Sequence, residues 1–419
     1  MFINKYFVIP INLFIWLNTL GSGSKRVLAL CALWAMLSIT HAGGWRYSGY
    51  VAGEVKVFFE DPLDPFQPDT NVSAAAQPEF YTEWNEGQDM FTFTPFARID
   101  QHDDERTHFD IREMNWMHVG SDWELKLGAS IVFWGVTESQ HLVDIINQTD
   151  VVENIDGEDK LGQPMINLAL IRDWGTLDFF VLPFFRERTF PGPEGRPRVH
   201  PPVNADAAVF ESSAEENHID VAARWSHAIA NWDVGLSYFH GTSRDPRFGI
   251  ETTNPDLPFL FPIYDQIDQA GLDAQLTYNS WLWKLEAIRR SGQGETFSAA
   301  TSGFEYTFYG LFDGAADLGI LGEYLYDQRP VQTRSPFEND VFGGLRFTFN
   351  DAQSTEALMG CIYDLDSSSR FCNVEASRRF GEHWVGNLEI RAFSSVPRLD
   401  PFFTLRRDDY VQFELFYYF

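Results

Sequence analysis

Charged residues recur at even spacings along this chain, as in Arg98, Asp110, Arg112, Glu124 and Lys126. In an extended strand successive side chains point to opposite faces, so such residues gather on one face and the apolar positions between them on the other. Charges arranged in this way line a hydrated surface, where they select ions or brace a wall through cross-strand ion pairs. By the same count Lys56, Arg224, Lys284, Arg346 and Arg391 share that face with Glu54, Asp178, Asp220, Asp273, Glu286 and Glu389. Both signs appear in similar number, so the count assigns no ionic preference. Bond-making chemistry is not legible: there is no Gly-x-Ser-x-Gly elbow, His-Glu-x-x-His helix or Walker loop. No catalytic residue, metal site or cofactor is expected, and His102, His108 and His118 are read as surface groups around one hairpin.

A second group is concentrated in one segment, Phe133-Trp134-Gly135-Val136-Thr137-Glu138-Ser139, followed by Leu142-Val143-Asp144-Ile145-Ile146-Asn147-Gln148-Thr149-Asp150. It opens a link from Gly135 to Pro164, about 30 residues and too long for an ordinary turn. Leu142, Val143, Ile145 and Ile146 should avoid water, so the link is expected to fold inwards, pack on a wall and narrow a pore. Trp134, Gly135, Thr137, Glu138, Ser139, Leu142, Asp144, Asn147 and Asp150 form the expected constriction; the alternative is that they cap a loop. Phe58, Phe96, Phe180, Phe184, Phe239 and Phe342 also face inwards, either filling space beneath that link or offering an apolar path.

The elements that must position these residues are strands. The last ten residues put Val411, Phe413, Leu415, Tyr417 and Phe419 on one face and Gln412 and Glu414 on the other, the pattern of a transmembrane β-strand. Other runs alternate over about nine to twelve residues, the length a tilted strand needs to cross a bilayer. One is Trp123, Leu125, Leu127, Ala129, Ile131, Phe133. Short turns, such as Gly120 to Asp122 and Asn279-Ser280, alternate with long links, notably Gly135 to Pro164, Glu187 to Asn217 and Gly241 to Gln266. Strand parity then gives an all-β fold, a transmembrane antiparallel barrel of about 18 strands with both ends on the short-turn side. Dropping the short Glu79 to Trp84 segment or the Phe371 to Arg379 strand leaves about 16. Cys361 and Cys372 fall opposite each other across a short link and are either bonded or two free thiols.

Composition agrees. Aromatics make up 16% of the chain, the excess that two girdles and a lipid-facing wall require. A net charge of -29 excludes a nucleic-acid-binding surface. Asp100 to Glu105 and Glu153 to Asp159 are read as solvated loops that meet lipopolysaccharide through divalent cations, or that serve solubility. Residues 1–42 are a leader: Lys25 and Arg26 precede the apolar stretch Val27 to Ile39, with cleavage expected after Ala42. Residues 1–24 are read as an over-long start, and 43–419 as the barrel, with no N-terminal plug.

Asp110-Ile111-Arg112-Glu113, Trp134-Gly135 with Ser139, and Asn147-Gln148-Thr149-Asp150 together resemble a group of uncharacterised proteobacterial outer-membrane porin-like proteins. Those carry an Asp-Ile-Arg-Glu-like segment, then Trp-Gly with a following Ser, then Asn-Pro-x-Asp; here Gln148 replaces the proline. Outside residues 90 to 150 only barrel character is shared. The resemblance implies a passive channel or transport barrel and names no solute. The terminal Phe419 also resembles the aromatic that barrel-assembly machinery reads. The expectation is a bacterial outer-membrane channel for small solutes, in contact with lipid and lipopolysaccharide. Alternatives are a facilitator of hydrophobic compounds, a polysaccharide exporter, or a non-conducting adhesin, scaffold or lipase.

Overall fold

The computed structural model describes residues 44–254, 257–311, 314–329 and 337–419; the leader and its cleavage point lie outside them. Twenty-one strands follow in chain order: β1 (Trp45–Phe58), β2 (Thr70–Trp84), β3 (Asp89–Asp100), β4 (His108–Val119), β5 (Trp123–Ser130), β6 (Gln163–Arg172) and β7 (Gly175–Leu182). Then come β8 (Val209–Phe210), β9 (Asp220–Ile229), β10 (Trp232–Thr242), β11 (Arg247–Glu251), β12 (Phe259–Tyr264), β13 (Gln266–Tyr278) and β14 (Trp281–Gly292). The last seven are β15 (Gly294–Phe308), β16 (Asp317–Asp327), β17 (Asn339–Thr348), β18 (Glu356–Asp364), β19 (Arg370–Phe380), β20 (Trp384–Ser394) and β21 (Tyr410–Tyr418).

Eighteen of these form a single antiparallel sheet that closes on itself, as the sequence led us to expect. Its seam is β1 against β21, from Tyr50↔Tyr418 to Phe58↔Tyr410. Closure leaves no edge, which is what a sheet in hydrocarbon requires. Strands β8, β11 and β12 make a small separate sheet within the links 183–219 and 243–265 at the long-loop end.

Both strands in doubt are present. The β2 strand is far longer than Glu79 to Trp84, because its upper half is built from small residues with weak strand signal. That half is held from inside: the Arg98 guanidinium donates to the Ser73 hydroxyl at 2.6 Å. Alternation is kept in β1 and β2, where Glu54, Lys56, Asn71 and Ser73 are buried inwards while Val55, Val57 and Val72 are exposed outwards. In β21 Phe413 and Leu415 likewise face out and Gln412 faces in, and the Phe419 amide donates to Gly49. Trp84, Trp123, Trp174, Trp232, Trp281 and Trp384 all flank short turns, forming an aromatic girdle at one interface.

Three expectations are corrected. Ile131 and Phe133 do not continue β5, which ends at Ser130, so the inserted link is 131–162. The acidic stretches are solvated only in part, with Asp104, Glu105 and Asp156 exposed. Asp100, Asp103 and Glu153 are buried because arginines or backbone amides meet them, Arg106 on Asp100 at 3.0 Å and Arg98 on Glu153 at 2.8 Å. His108 is not a surface group either, since it pairs with Glu153 at 2.8 Å.

Cys361 and Cys372 are directly opposite in the β18–β19 register and are joined by a disulfide. Their neighbours Ile362 and Phe371 face the lumen, so the bond lies on the outer face. Because the ladder continues on either side, a chain carrying Cys361→Ser and Cys372→Ser should still fold. We expect a loss of about 2–3 kcal/mol, the order for a loop of this size, read as a lower melting temperature. Peptide mapping without reductant should recover the two cysteines in one linked fragment; labelling of both as free thiols would refute the bond.

Candidate functional site

The 131–162 link turns into the lumen at a single residue. The Asn147 side chain accepts from the Val132 amide at 2.9 Å and donates to the Ser130 carbonyl at 2.8 Å and the Leu161 carbonyl at 2.9 Å. It therefore ties the start and the end of the link together. Two residues further on, one Asp144 oxygen accepts from the amides of Trp134 at 2.6 Å and Gly135 at 3.0 Å. These side chains supply the partners that a ladder would otherwise give, which is why β5 stops where it does. A Cβ on Gly135 would lie 2.4 Å from the His141 ring nitrogen, so this position tolerates no side chain without rearrangement.

From there the link crosses to the far wall. Glu286, on β14, accepts from the amides of Val136 at 2.7 Å, Thr137 at 2.9 Å and Val143 at 3.2 Å, and from the Thr137 hydroxyl at 2.7 Å. Glu323, on β16, accepts from the amides of Glu138 at 2.8 Å and Ser139 at 2.9 Å. The Glu138 carboxylate reaches Arg346 on β17 at 2.6 Å and Lys284 at 3.4 Å. Beneath this latch Trp134, Leu142, Val143, Ile145 and Ile146 pack with Phe180, Phe239 and Ile267 of the wall. Burying the four aliphatic side chains contributes roughly 6–12 kcal/mol towards holding the segment inside.

The second leg, 148–160, is held by charge. Arg112 meets Asp150 at 2.7 Å and Asp110 at 3.0 Å. Arg98 bridges Glu153 and Glu54, and Arg106 joins Glu54 to Asp100. Asp156 meets Arg391 on β20 at 2.6 Å. Burial opposes ionisation of Glu153, yet Arg98 and His108 hold its pKa well below the usual range. Burial, with Glu153 and Asp156 nearby, pushes Asp159 up to about 7. His141 shows the reverse balance: burial opposes its charge, but Glu158 at 2.8 Å and Glu286 at 3.7 Å raise it to about 10.

The link leaves several cavities around it in the lumen. At the long-loop end a cavity of about 660 Å³ lies over the link, against the wall of β14 to β20. Nearer the short turns, a cavity of about 400 Å³ lies between the link and β17 to β21. The two share Glu138, Asp156, Glu158, Leu358 and Glu375, where they adjoin. A third cavity, of about 770 Å³, opens beneath the apolar plug.

Of the residues singled out in the sequence, Glu138 lies where the two cavities adjoin. Gly135, Thr137, Ser139, Asp144 and Asn147 build the latch and hinge, Trp134 and Leu142 the plug, and Asp150 the charged leg. Arg98, Asp110 and Arg112 grip the link, whereas Glu124 and Lys126 lie apart in the cavity beneath the plug. Sequence reasoning missed Glu323, Glu375 and Asp156 as parts of the site. Glu323 and Glu375 alternate correctly for the lumen, but nothing local shows that the link reaches them.

No known protein family matches this chain, and no curated protein does. Among solved structures, a triple mutant of Rhodopseudomonas blastica porin is similar at 12% identity and a TM-score of 0.43, over 90% of this chain and 100% of that one. Another substituted porin of Rh. blastica gives 12% and 0.44 over the same shares. A structure described as showing asymmetric conductivity of engineered proteins gives 12% and 0.43, again over 90% and 100%. This likeness reaches no further than the barrel already described.

Replacing Glu286 by Ala strands three link amides, each at a cost of about 1–3 kcal/mol. Hydrogen exchange across 136–143 should accelerate by an order of magnitude or more while the barrel keeps its heat-modifiable migration on gels; unchanged exchange would remove Glu286 from the latch. The His141 ion pairs stabilise the fold fully below its unfolded pKa of about 6.5, and that contribution is lost as pH rises through about 10. His141→Gln should therefore lower resistance to urea at pH 6 and make no difference above pH of about 10.

Proposed function

We propose that the protein is a bacterial outer-membrane channel for passive or facilitated diffusion of small solutes, and not an enzyme. The observation that supports this best is the pair of cavities that meet at Glu138, Asp156, Glu158, Leu358 and Glu375. They run beside an inserted link fixed at both ends and at the far wall, so their junction is preformed. A wall of ion pairs with a lateral passage suits hydrated solutes of limited size. The residues 110–113, 134–139 and 147–150 that resemble the uncharacterised porin-like group are those that seat the link, which fits a shared way of narrowing a barrel. In this reading residues 1–42 are a signal-bearing leader and Phe419 is read by the assembly machinery. The outer wall meets lipid and lipopolysaccharide.

Recording from the purified chain in planar bilayers tests the channel. Discrete conductance steps are expected, and deletion of Leu142 to Ile146 should raise the step size by removing the plug that seats the link. Absence of steps both in the parent and in the deletion variant would overturn the reading.

A further inference from the structure

The register of β17 to β21 arranges the passage wall in rungs. Phe342, Ile362, Phe371 and Phe393 stand opposite one another, one rung below Asp340 and Asp364 at the long-loop end. Two residues down, Gly344, Gly360, Asn373 and Arg391 form the next. Below it come Arg346, Leu358, Glu375, Glu389 and Gln412, and then Glu356, Ser377, Asn387 and Glu414.

The upper rung is an apolar surface bordering the cavity, with Phe342, Ile362 and Phe393 buried behind the half-buried Phe371 and Phe402. Phe371 stacks on Phe393 at 5.1 Å, and Phe402, from the 395–409 link, caps both at 5.9 and 6.0 Å. Its surface extends downwards, because the Phe342 ring lies across the second rung. A Cβ on Gly360 would fall 2.3 Å from that ring, and one on Gly344 2.8 Å. Glycine at these positions keeps the passage wide and lets the aromatic surface run on toward the carboxylates.

The charge accessible beneath this surface is negative. Arg391 is nearest, but it is 1% exposed and held by Asp156 and Glu389, each at 2.6 Å. Glu356 and Glu375 are exposed and form no ion pair with any described residue. The lower cavity as a whole is lined by eight carboxylates and one arginine. Each rung is about 7 Å below the last, so Glu375 lies about 14 Å below Phe371 and Phe393, a span that needs an aryl group and an ammonium joined by several methylenes.

Building on the channel reading, we infer that this wall takes amphipathic organic cations, with an aryl or alkyl group against Phe342, Phe371, Phe393 and Phe402 and an ammonium toward Glu375 and Glu356. Phenylalanine faces attract quaternary ammonium groups as well as apolar ones, so both parts of the path favour such a solute. The same upper cavity is also lined by Arg188, Arg244, Arg290 and Arg329, of which Arg188 and Arg290 pair with Asp245, and the opposite assignment, an amphipathic anion, is what the test must separate.

The full chain in detergent is titrated calorimetrically with 6-phenylhexyltrimethylammonium bromide, and in parallel with tetramethylammonium, 6-phenylhexan-1-ol and 7-phenylheptanoate. The phenylhexyl cation should bind at least tenfold more tightly than each of the other three. Glu356→Gln with Glu375→Gln should reduce its affinity to that of 6-phenylhexan-1-ol, and Phe371→Ala should abolish its advantage over tetramethylammonium. Heat-modifiable migration verifies that each variant is folded. Equal affinity for all four probes, preference for 7-phenylheptanoate, or no binding at millimolar concentration would overturn the inference. Since this measurement needs no conduction, binding without bilayer conductance would defeat the channel and leave the site. Conductance without selective binding would do the reverse.

Discussion

A chain segment placed inside a barrel has no neighbouring strand, so its amides must find partners among side chains or stay unpaired at a cost. The 131–162 link meets this constraint with a few carboxylates and one carboxamide. Asp144 and Asn147 come from the link itself, and Glu286 and Glu323 from the opposite wall. The other features follow from how they are placed. They end β5 early, press Leu142 to Ile146 onto the wall beneath, and leave cavities above, beside and beneath the link. The open space of the lumen is thus the remainder left when the backbone of the link has been satisfied.

Charge plays two distinct parts in the lumen. On the side of β3 and β4 it is structural: Glu54, Arg98, Arg106, Glu153 and His108 neutralise one another out of water. Such a network is costly to desolvate and costly to break, so it fixes a geometry more than it adds stability. On the side of β18 to β20 acidic groups outnumber their partners and face the lower cavity. An even count of signs over the whole lumen conceals this difference, because pairing and position carry the information that the count averages away.

Much of the architecture was legible in the residues. Period-two alternation located the strands, turn and link lengths gave their parity, and Leu142 to Ile146 showed that one link turns inwards. The illegible parts depend on register between distant strands. Glu153 looks like any solvated glutamate until Arg98, 55 residues away, is placed beside it. Glu323 lies 185 residues from its partner Glu138. The upper half of β2 was missed because its small, polar residues are chosen for what the lumen arginines need, and strand propensity does not record that choice.

The latch carboxylates also set an order of events in assembly. The amides of residues 136 to 139 are caught by β14 and β16, which stand far along the chain from the link. Closing loops of 149 to 185 residues carries an entropic penalty that is repaid only once the far wall is in place. The link must therefore seat itself late, after the strands from β5 to β16 have joined. An assembling barrel passes through a wide-mouthed stage, and the inside of the lumen is the last part of the molecule to acquire its shape.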